Sequence, residues 1–145
     1  MTSDANTYPG EIHRLTLRNS VAEMARLSDW IDSLDNALRP AARVGYALRL
    51  CLEEAVANII AYAFEPGSTH VITIVVWRQG KLVQATVTDD GRAFDPLKLP
   101  EPPKLADVSS APIGGLGIKL MRQFASNITY TRADGGNHLQ FSFED

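Results

Sequence analysis

The sequence predicts an α/β two-layer sandwich, with about three helices on one face of a mixed, mostly antiparallel sheet. Three observations carry this expectation. Two pairs of strand-like runs are joined by turns too short for a crossover, so each pair must be antiparallel. Three segments repeat apolar residues at helical spacing, and each needs a surface to cover. Along the chain the order is strand, helix, helix, strand, strand, long loop, helix, strand, strand.

At 145 residues the chain is long enough for one domain with a real core and too short for two ordinary ones. Residues 11–145 read as that single domain, behind a polar, flexible N-terminus at residues 1–10. Hydrophobic residues make up 45% and charged residues 21%, the profile of a globular domain. A net charge of −3 and a pI near 5.6 argue against a nucleic-acid partner bound through phosphate neutralisation. Apolar runs fall short of the roughly 18–20 residues that span a bilayer, and Met1–Gly10 lacks a signal-peptide core. The lone cysteine, Cys51, excludes an internal disulfide and a cysteine zinc cluster, and it reads as a small buried hydrophobe. These features point to a cytoplasmic protein.

Each element has its own signal. Leu15 and Leu17 alternate with polar neighbours over Glu11–Arg18, as in a strand. Ser20 and Glu23 form a capping-box pattern, followed by Val21, Met24, Leu27, Ile31, Leu34 and Leu38 at helical spacing. Pro40 suits the first turn of a second helix. Its apolar stripe is Val44, Leu48, Leu52, Ala55, Ile59 and Ala63, and Glu65-Pro66-Gly67 ends it. Val71–Trp77, a turn at Gln79-Gly80 and Lys81–Asp89 then make a hairpin. Pro96, Pro100, Pro102, Pro103 and Pro112 mark a long aperiodic segment of the kind that serves as a lid. A third helix over Gly115–Ser126 precedes a closing hairpin, Ile128–Arg132 and His138–Phe143, turned at Asp134-Gly135-Gly136-Asn137.

Three places carry chemistry. On the second helix Glu54 and Asn58 are four residues apart, hence on the same side, beside the apolar stripe. A carboxylate there can accept a proton from a hydroxyl or orient a water, and the Asn58 amide oxygen can bind a hard cation such as Mg²⁺. Taken alone, this helix reads more simply as a solvated acidic turn, and Glu53 as a solvated charge. The second place is a strand end, Asp89-Asp90-Gly91, whose first carboxylate can accept from an exocyclic amine such as that of adenine. The third is a glycine-rich helix start, Gly114-Gly115-Leu116-Gly117, whose free N–H groups and dipole suit phosphate. His13, His70 and His138 show no ligand spacing.

In this order, on a helix, a strand end and a helix start, the three resemble the motifs of the GHKL ATP-binding superfamily of gyrase, Hsp90, histidine kinases and MutL. The second helix is similar to the N box, Asp89-Asp90-Gly91 to the first glycine box and Gly114–Gly117 to the second. The resemblance covers about Ser20 to the C-terminus. Within it the chain looks most like the small anti-sigma-factor serine/threonine kinases, on Glu54-Ala55-Val56-Ala57-Asn58, Phe94-Asp95-Pro96, Gly114–Met121 and Gly136-Asn137-His138-Leu139.

That resemblance implies a Bergerat-type fold and a Mg²⁺- and ATP-dependent kinase. Glu54 would be the general base toward a serine of a protein substrate, and Asn58 the Mg²⁺ ligand. Asp89 would hold the adenine amine, and Gly91 would let backbone approach the base. Phe94, Gly114, Gly115, Leu116 and Gly117 would complete the nucleotide site, with residues 97–113 as ATP lid. The implied partners are a sigma factor or other regulatory target, a STAS-type anti-anti-sigma protein and a second copy of the chain through the first strand and helix. A nucleotide-binding regulatory module without turnover is the alternative. Two departures stand out: Tyr62 replaces a histidine common four residues past the asparagine, and the lid offers Lys98 and Lys104 with no arginine between Arg92 and Arg122.

Overall fold

The computed structural model describes residues 11–65, 67–98 and 115–145, with residues 115–117 as backbone. The expected flexible N-terminus, Lys104, Gly114 and most of the expected lid lie outside the described residues. The elements are β1 (Ile12–Arg18), α1 (Met24–Leu38), α2 (Ala42–Tyr62), β2 (Val71–Gln79), β3 (Leu82–Asp89), α3 (Gly115–Phe124), β4 (Asn127–Ala133) and β5 (Gly136–Glu144). Short 3₁₀ turns occupy Val21–Glu23 and Pro96–Lys98.

The five strands form one sheet in the order β1-β2-β3-β5-β4. All four pairings are antiparallel, so the expected mixed character is absent. β5 inserts between β3 and β4 because the chain leaves β3, passes through α3 and returns along β4. Side chains alternate across the sheet, and directly paired residues share a face. One such row is Leu15, Ile74, Val87, Leu139 and Tyr130; the next is Leu17, Ile72, Asp89, Asn137 and Arg132. The helices cover this face. Leu27, Ile31 and Leu34 of α1, Leu48, Leu52 and Val56 of α2, and Ile118 and Met121 of α3 close the core over it. Every residue of the predicted α2 stripe is buried, and so is Cys51.

Local chemistry shifts several boundaries. Ser20 does cap, accepting from the Ala22 N–H at 3.3 Å, but Glu23 does not complete a capping box. Because the first turn is 3₁₀, the Glu23 carboxylate reaches past Ser20 to the Arg18 N–H at 3.1 Å and pairs with Arg26. Val21, placed on the apolar stripe by spacing, is 73% exposed for the same reason. Pro40 precedes the second helix instead of opening it, since the N-cap is Ala41. There the Ala41 N–H donates to Asp145 Oδ1 at 2.7 Å. α1 ends on Arg39 in the left-handed region, φ 49°, where glycine is usual. The Arg78 guanidinium braces that reversal, donating to the carbonyls of Leu38 and Arg39 and to the Asp145 carboxylate.

The first hairpin turns at Gly80-Lys81, one residue later than the sequence implies, because Gln79 pairs with Leu82. The second turns on Asp134 (φ 54°) and Gly135 (φ 73°). Two successive positive φ values match the right-handed twist of the strands they join.

Candidate functional site

A narrow pocket, with room of about 10 Å³, opens between α2 and the ends of β3 and β5, lined in part by Ala55, Asn58, Asp89, Phe94, Tyr130 and Asn137. α2 places Asn58 in its wall. The residue is 3% exposed, deeper than a position beside the stripe implies, and its Nδ2 has no partner among the described residues. Glu54, one turn earlier, is half-buried and is not part of the lining. Burial raises the Glu54 pKa above the ordinary glutamate value, and the neighbouring charge of Glu53 adds to the rise. Glu53 is not simply solvated: Arg49 lies 3.8 Å from it and reaches Ser28 and Asp32 of α1.

β3 supplies Asp89. Period-two alternation puts it on the helix-covered face behind Val83, Ala85 and Val87, and it is 6% exposed. Oδ1 accepts from the Gly91 N–H at 2.8 Å and from Asn137 Nδ2 at 2.9 Å. Oδ2 is buried without a partner among the described residues. Burial raises the pKa of this carboxyl; the bonds from Asn137 and Gly91 oppose the rise, Asp90 adds to it and Arg132 subtracts. A buried acceptor left unpaired costs about 1–3 kcal/mol, a cost that a hydrogen-bond donor at this oxygen would relieve.

The loop after Asp89 is clamped to the end of α2. The Arg92 N–H donates to the Ala63 carbonyl at 2.8 Å, and its guanidinium reaches the Phe64 carbonyl and Glu65. A Cβ on Gly91 would lie 2.4 Å from the Ala63 oxygen. This residue therefore has to be glycine because of the helix end it touches, a reason the sequence did not give. Phe94 stacks on Tyr62 with centroids 5.2 Å apart, so the tyrosine that stands in the usual histidine position holds one wall of the pocket. Asp95 Oδ1 accepts from the Leu97 N–H at 2.9 Å and starts the 3₁₀ turn. Lys98 ends that turn.

Gly115, Leu116 and Gly117 form the first turn of α3, as expected of a helix start that offers free N–H groups. The two arginines flanking the lid are engaged, Arg92 as above and Arg122 with the Leu97 carbonyl. His70 pairs with Asp90 at 3.0 Å, and among the described residues no cluster could hold a metal through histidine, cysteine and carboxylates.

Sequence reasoning gave no site role to Asn137, Tyr130, Arg132 or Gly136, and used Gly136 and Asn137 only as part of a turn and of a string that carries the family resemblance. Asn137 is 4% exposed and bonds to Asp89, Arg92, Phe94, Tyr130 and Arg132. A Cβ on Gly136 would meet the Asp89 carbonyl oxygen at 2.7 Å. The available signal was a Gly-Gly-Asn string just past a two-residue turn, at the mouth of a strand.

Comparison with known proteins agrees with this architecture. The family model described as a histidine kinase-like ATPase domain matches residues 17–143. A serine/threonine-protein kinase of Bordetella bronchiseptica, BtrW, is 36% identical over 110 residues, covering 76% of this chain and 78% of the relative. The crystal structure of the RsbU and RsbW domains of a Mycobacterium tuberculosis protein superposes with a TM-score of 0.67 at 12% identity, covering 94% of this chain and 32% of that one. The chain thus spans about a third of that structure. A blue-light activated histidine kinase domain from Erythrobacter litoralis gives a TM-score of 0.53 at 17% identity, covering 83% and 60%. At those identities the two structures speak to the fold alone.

Proposed function

The chain belongs to the histidine kinase-like ATPase domain family, and we propose that it is a Mg²⁺- and ATP-dependent protein serine/threonine kinase acting as an anti-sigma factor. In this reading it phosphorylates a STAS-type antagonist and exchanges that partner for a sigma factor or another regulatory target. The single observation that carries the nucleotide half is the unpaired, buried Oδ2 of Asp89 in the wall of the pocket. An exocyclic amine of adenine is a donor of the right kind. The kinase half draws on the Bordetella relative, whose name is that of a serine/threonine-protein kinase.

The residues divide the work as follows. Asp89 binds the base, with Phe94 and Gly91 shaping the loop beside it. By the family resemblance, the N–H groups at the start of α3, with Gly114, Gly115, Leu116 and Gly117, would hold the phosphates, and residues 97–113 would be the lid. Asn58, buried at the pocket wall, offers a hard amide oxygen of the kind that ligates Mg²⁺, while its unpaired atom, Nδ2, is a donor and takes no part in holding a cation. Bound there, Mg²⁺ neutralises phosphate charge. Glu54 takes the proton as the serine oxygen attacks the γ-phosphorus and ADP leaves. Its raised pKa makes it a better base than a solvated glutamate. Most of the barrier reduction comes from positioning and charge neutralisation. No helix among the described residues is long and apolar enough to cross a membrane.

A second reading is a nucleotide-dependent binding module without turnover. Arg92 and Arg122 are both tied to backbone carbonyls, and Arg132 is likewise engaged by the Gly91 carbonyl. Calorimetric titration with ADP and ATP, with and without Mg²⁺, tests the shared half. Micromolar binding tightened by Mg²⁺ is expected, and no binding by either nucleotide overturns both readings. Transfer of labelled phosphate to a STAS-domain protein then separates them.

A further inference from the structure

Resting on the nucleotide reading of the pocket, we propose that Asn137 is a positioning residue for base recognition. It fixes the Asp89 carboxylate so that Oδ1 is engaged by protein and Oδ2 is the oxygen presented to the ligand.

The argument begins with the orientation of its amide. Asn137 Oδ1 receives the Tyr130 hydroxyl at 2.5 Å, the Phe94 N–H at 3.2 Å and an Arg132 guanidinium nitrogen at 3.3 Å. Nδ2 faces two acceptors, Asp89 Oδ1 at 2.9 Å and the Arg92 carbonyl at 2.8 Å. Donors surround one end and acceptors the other, so the reversed amide would face like groups at both ends. Both hydrogens on Nδ2 are used, and none remains for a ligand. Asn137 lines the pocket yet bears on the exocyclic amine through Asp89 and on the pocket wall through Phe94.

The same side chain also fixes the loop. It holds the Arg92 carbonyl and the Phe94 N–H together, two residues apart, and so sets the wall that Phe94 forms. Its reach depends on Gly136, where a Cβ would push β5 away from the Asp89 carbonyl. Without the Nδ2 donor, Asp89 Oδ1 keeps only the Gly91 N–H, and the carboxylate can turn about its terminal bond. The Arg92 carbonyl then loses its partner as well.

Two substitutions test this. Asn137→Asp changes one atom group, keeping an acceptor for Tyr130, Phe94 and Arg132 while removing both donors. Asn137→Ala removes the whole hub. ATP binding is measured by calorimetry alongside thermal melting, with ITP, which carries an oxygen in place of the exocyclic amine, as the comparison nucleotide. Each variant is expected to raise the ATP Kd about tenfold or more, the scale of one lost buried hydrogen bond plus its consequences, and to change ITP binding far less. In the Asp89→Asn background, Asn137→Ala should add no further loss of the preference for ATP over ITP, because that preference runs through the residue already altered. A structural role alone would lower the melting temperature and weaken both nucleotides together. ATP affinity unchanged in Asn137→Asp, equal losses for ATP and ITP, or a further loss of that preference in the double variant each overturn the assignment. Should Asn137→Ala not fold, Asn137→Asp carries the same test. A wild-type protein that binds no nucleotide refutes the pocket reading itself, an outcome distinct from wild-type binding that Asn137 does not influence.

Discussion

Asp89 and Asn137 are cross-strand partners on β3 and β5, and the amide of one holds a single oxygen of the other, leaving the second oxygen buried and unpaired. The apo protein thus carries a carboxylate whose pKa burial has raised. A folded-state pKa above the unfolded one means the native state binds the proton more tightly. The associated stability is present at acid pH and is lost as pH rises through the window between the ordinary aspartate value and the raised one.

Replacing that carboxylate should separate stability from binding. Asp89→Asn is expected to keep or raise the melting temperature at neutral pH, because a buried charge is gone. The ATP Kd should rise about tenfold or more. Calorimetry and thermal melts on the same samples check both halves, and unchanged affinity would remove Asp89 from base recognition.

Glu54 should behave as a base whose acid limb is shifted upward. Glu54→Gln is expected to keep nucleotide affinity and abolish phosphotransfer. In the unsubstituted protein the rate should fall, as pH drops, above the range of an ordinary glutamate. Glu53→Gln removes the neighbouring negative charge and should move that limb back down. A limb that stays in place in Glu53→Gln would show that burial alone sets the value.

Gly91 packs against the carbonyl of Ala63, and a backbone atom cannot move aside as a side chain can. Gly91→Ala should destabilise by about 1–3 kcal/mol, the usual cost of overpacking, and weaken nucleotide binding by shifting the loop. Urea denaturation gives the first quantity. Wild-type stability would mean that the loop and helix end separate easily.

Cys51 is fully buried. Burial, with a smaller push from the Glu54 charge, raises its pKa to about 12. It should therefore stay unreactive toward a thiol reagent in the native protein at mildly alkaline pH and react fully in denaturant. Rapid native labelling would mean that α2 opens locally.

Much of the fold was legible because backbone geometry imposes its periods on local sequence. The α2 stripe from Val44 to Ala63 reads correctly since each turn of helix returns to the same face. Both hairpins were legible, the first displaced by one residue, since Gly80 and Asp134-Gly135 supply the positive φ values that tight turns require. Val21 and Glu23 were misplaced because a 3₁₀ first turn rotates the residues that follow Ser20, and nothing in the spacing marks that change.

For the site, the sequence by itself determined which residues could do chemistry: Glu54 and Asn58 on one side of a helix, Asp89 at a strand end, and a glycine-rich helix start. The structure added that Asp89 lies on the covered face, behind Val83, Ala85 and Val87. Only the tertiary structure decided that Asn137, 48 residues away, lies opposite Asp89, that Ala63 is what excludes a side chain at Gly91, and that Tyr62 meets Phe94. Those contacts depend on β5 inserting between β3 and β4 and on where α2 ends against the loop. Helix and strand periods are fixed by neighbours in the chain, whereas these pairings are fixed by packing between segments distant along it.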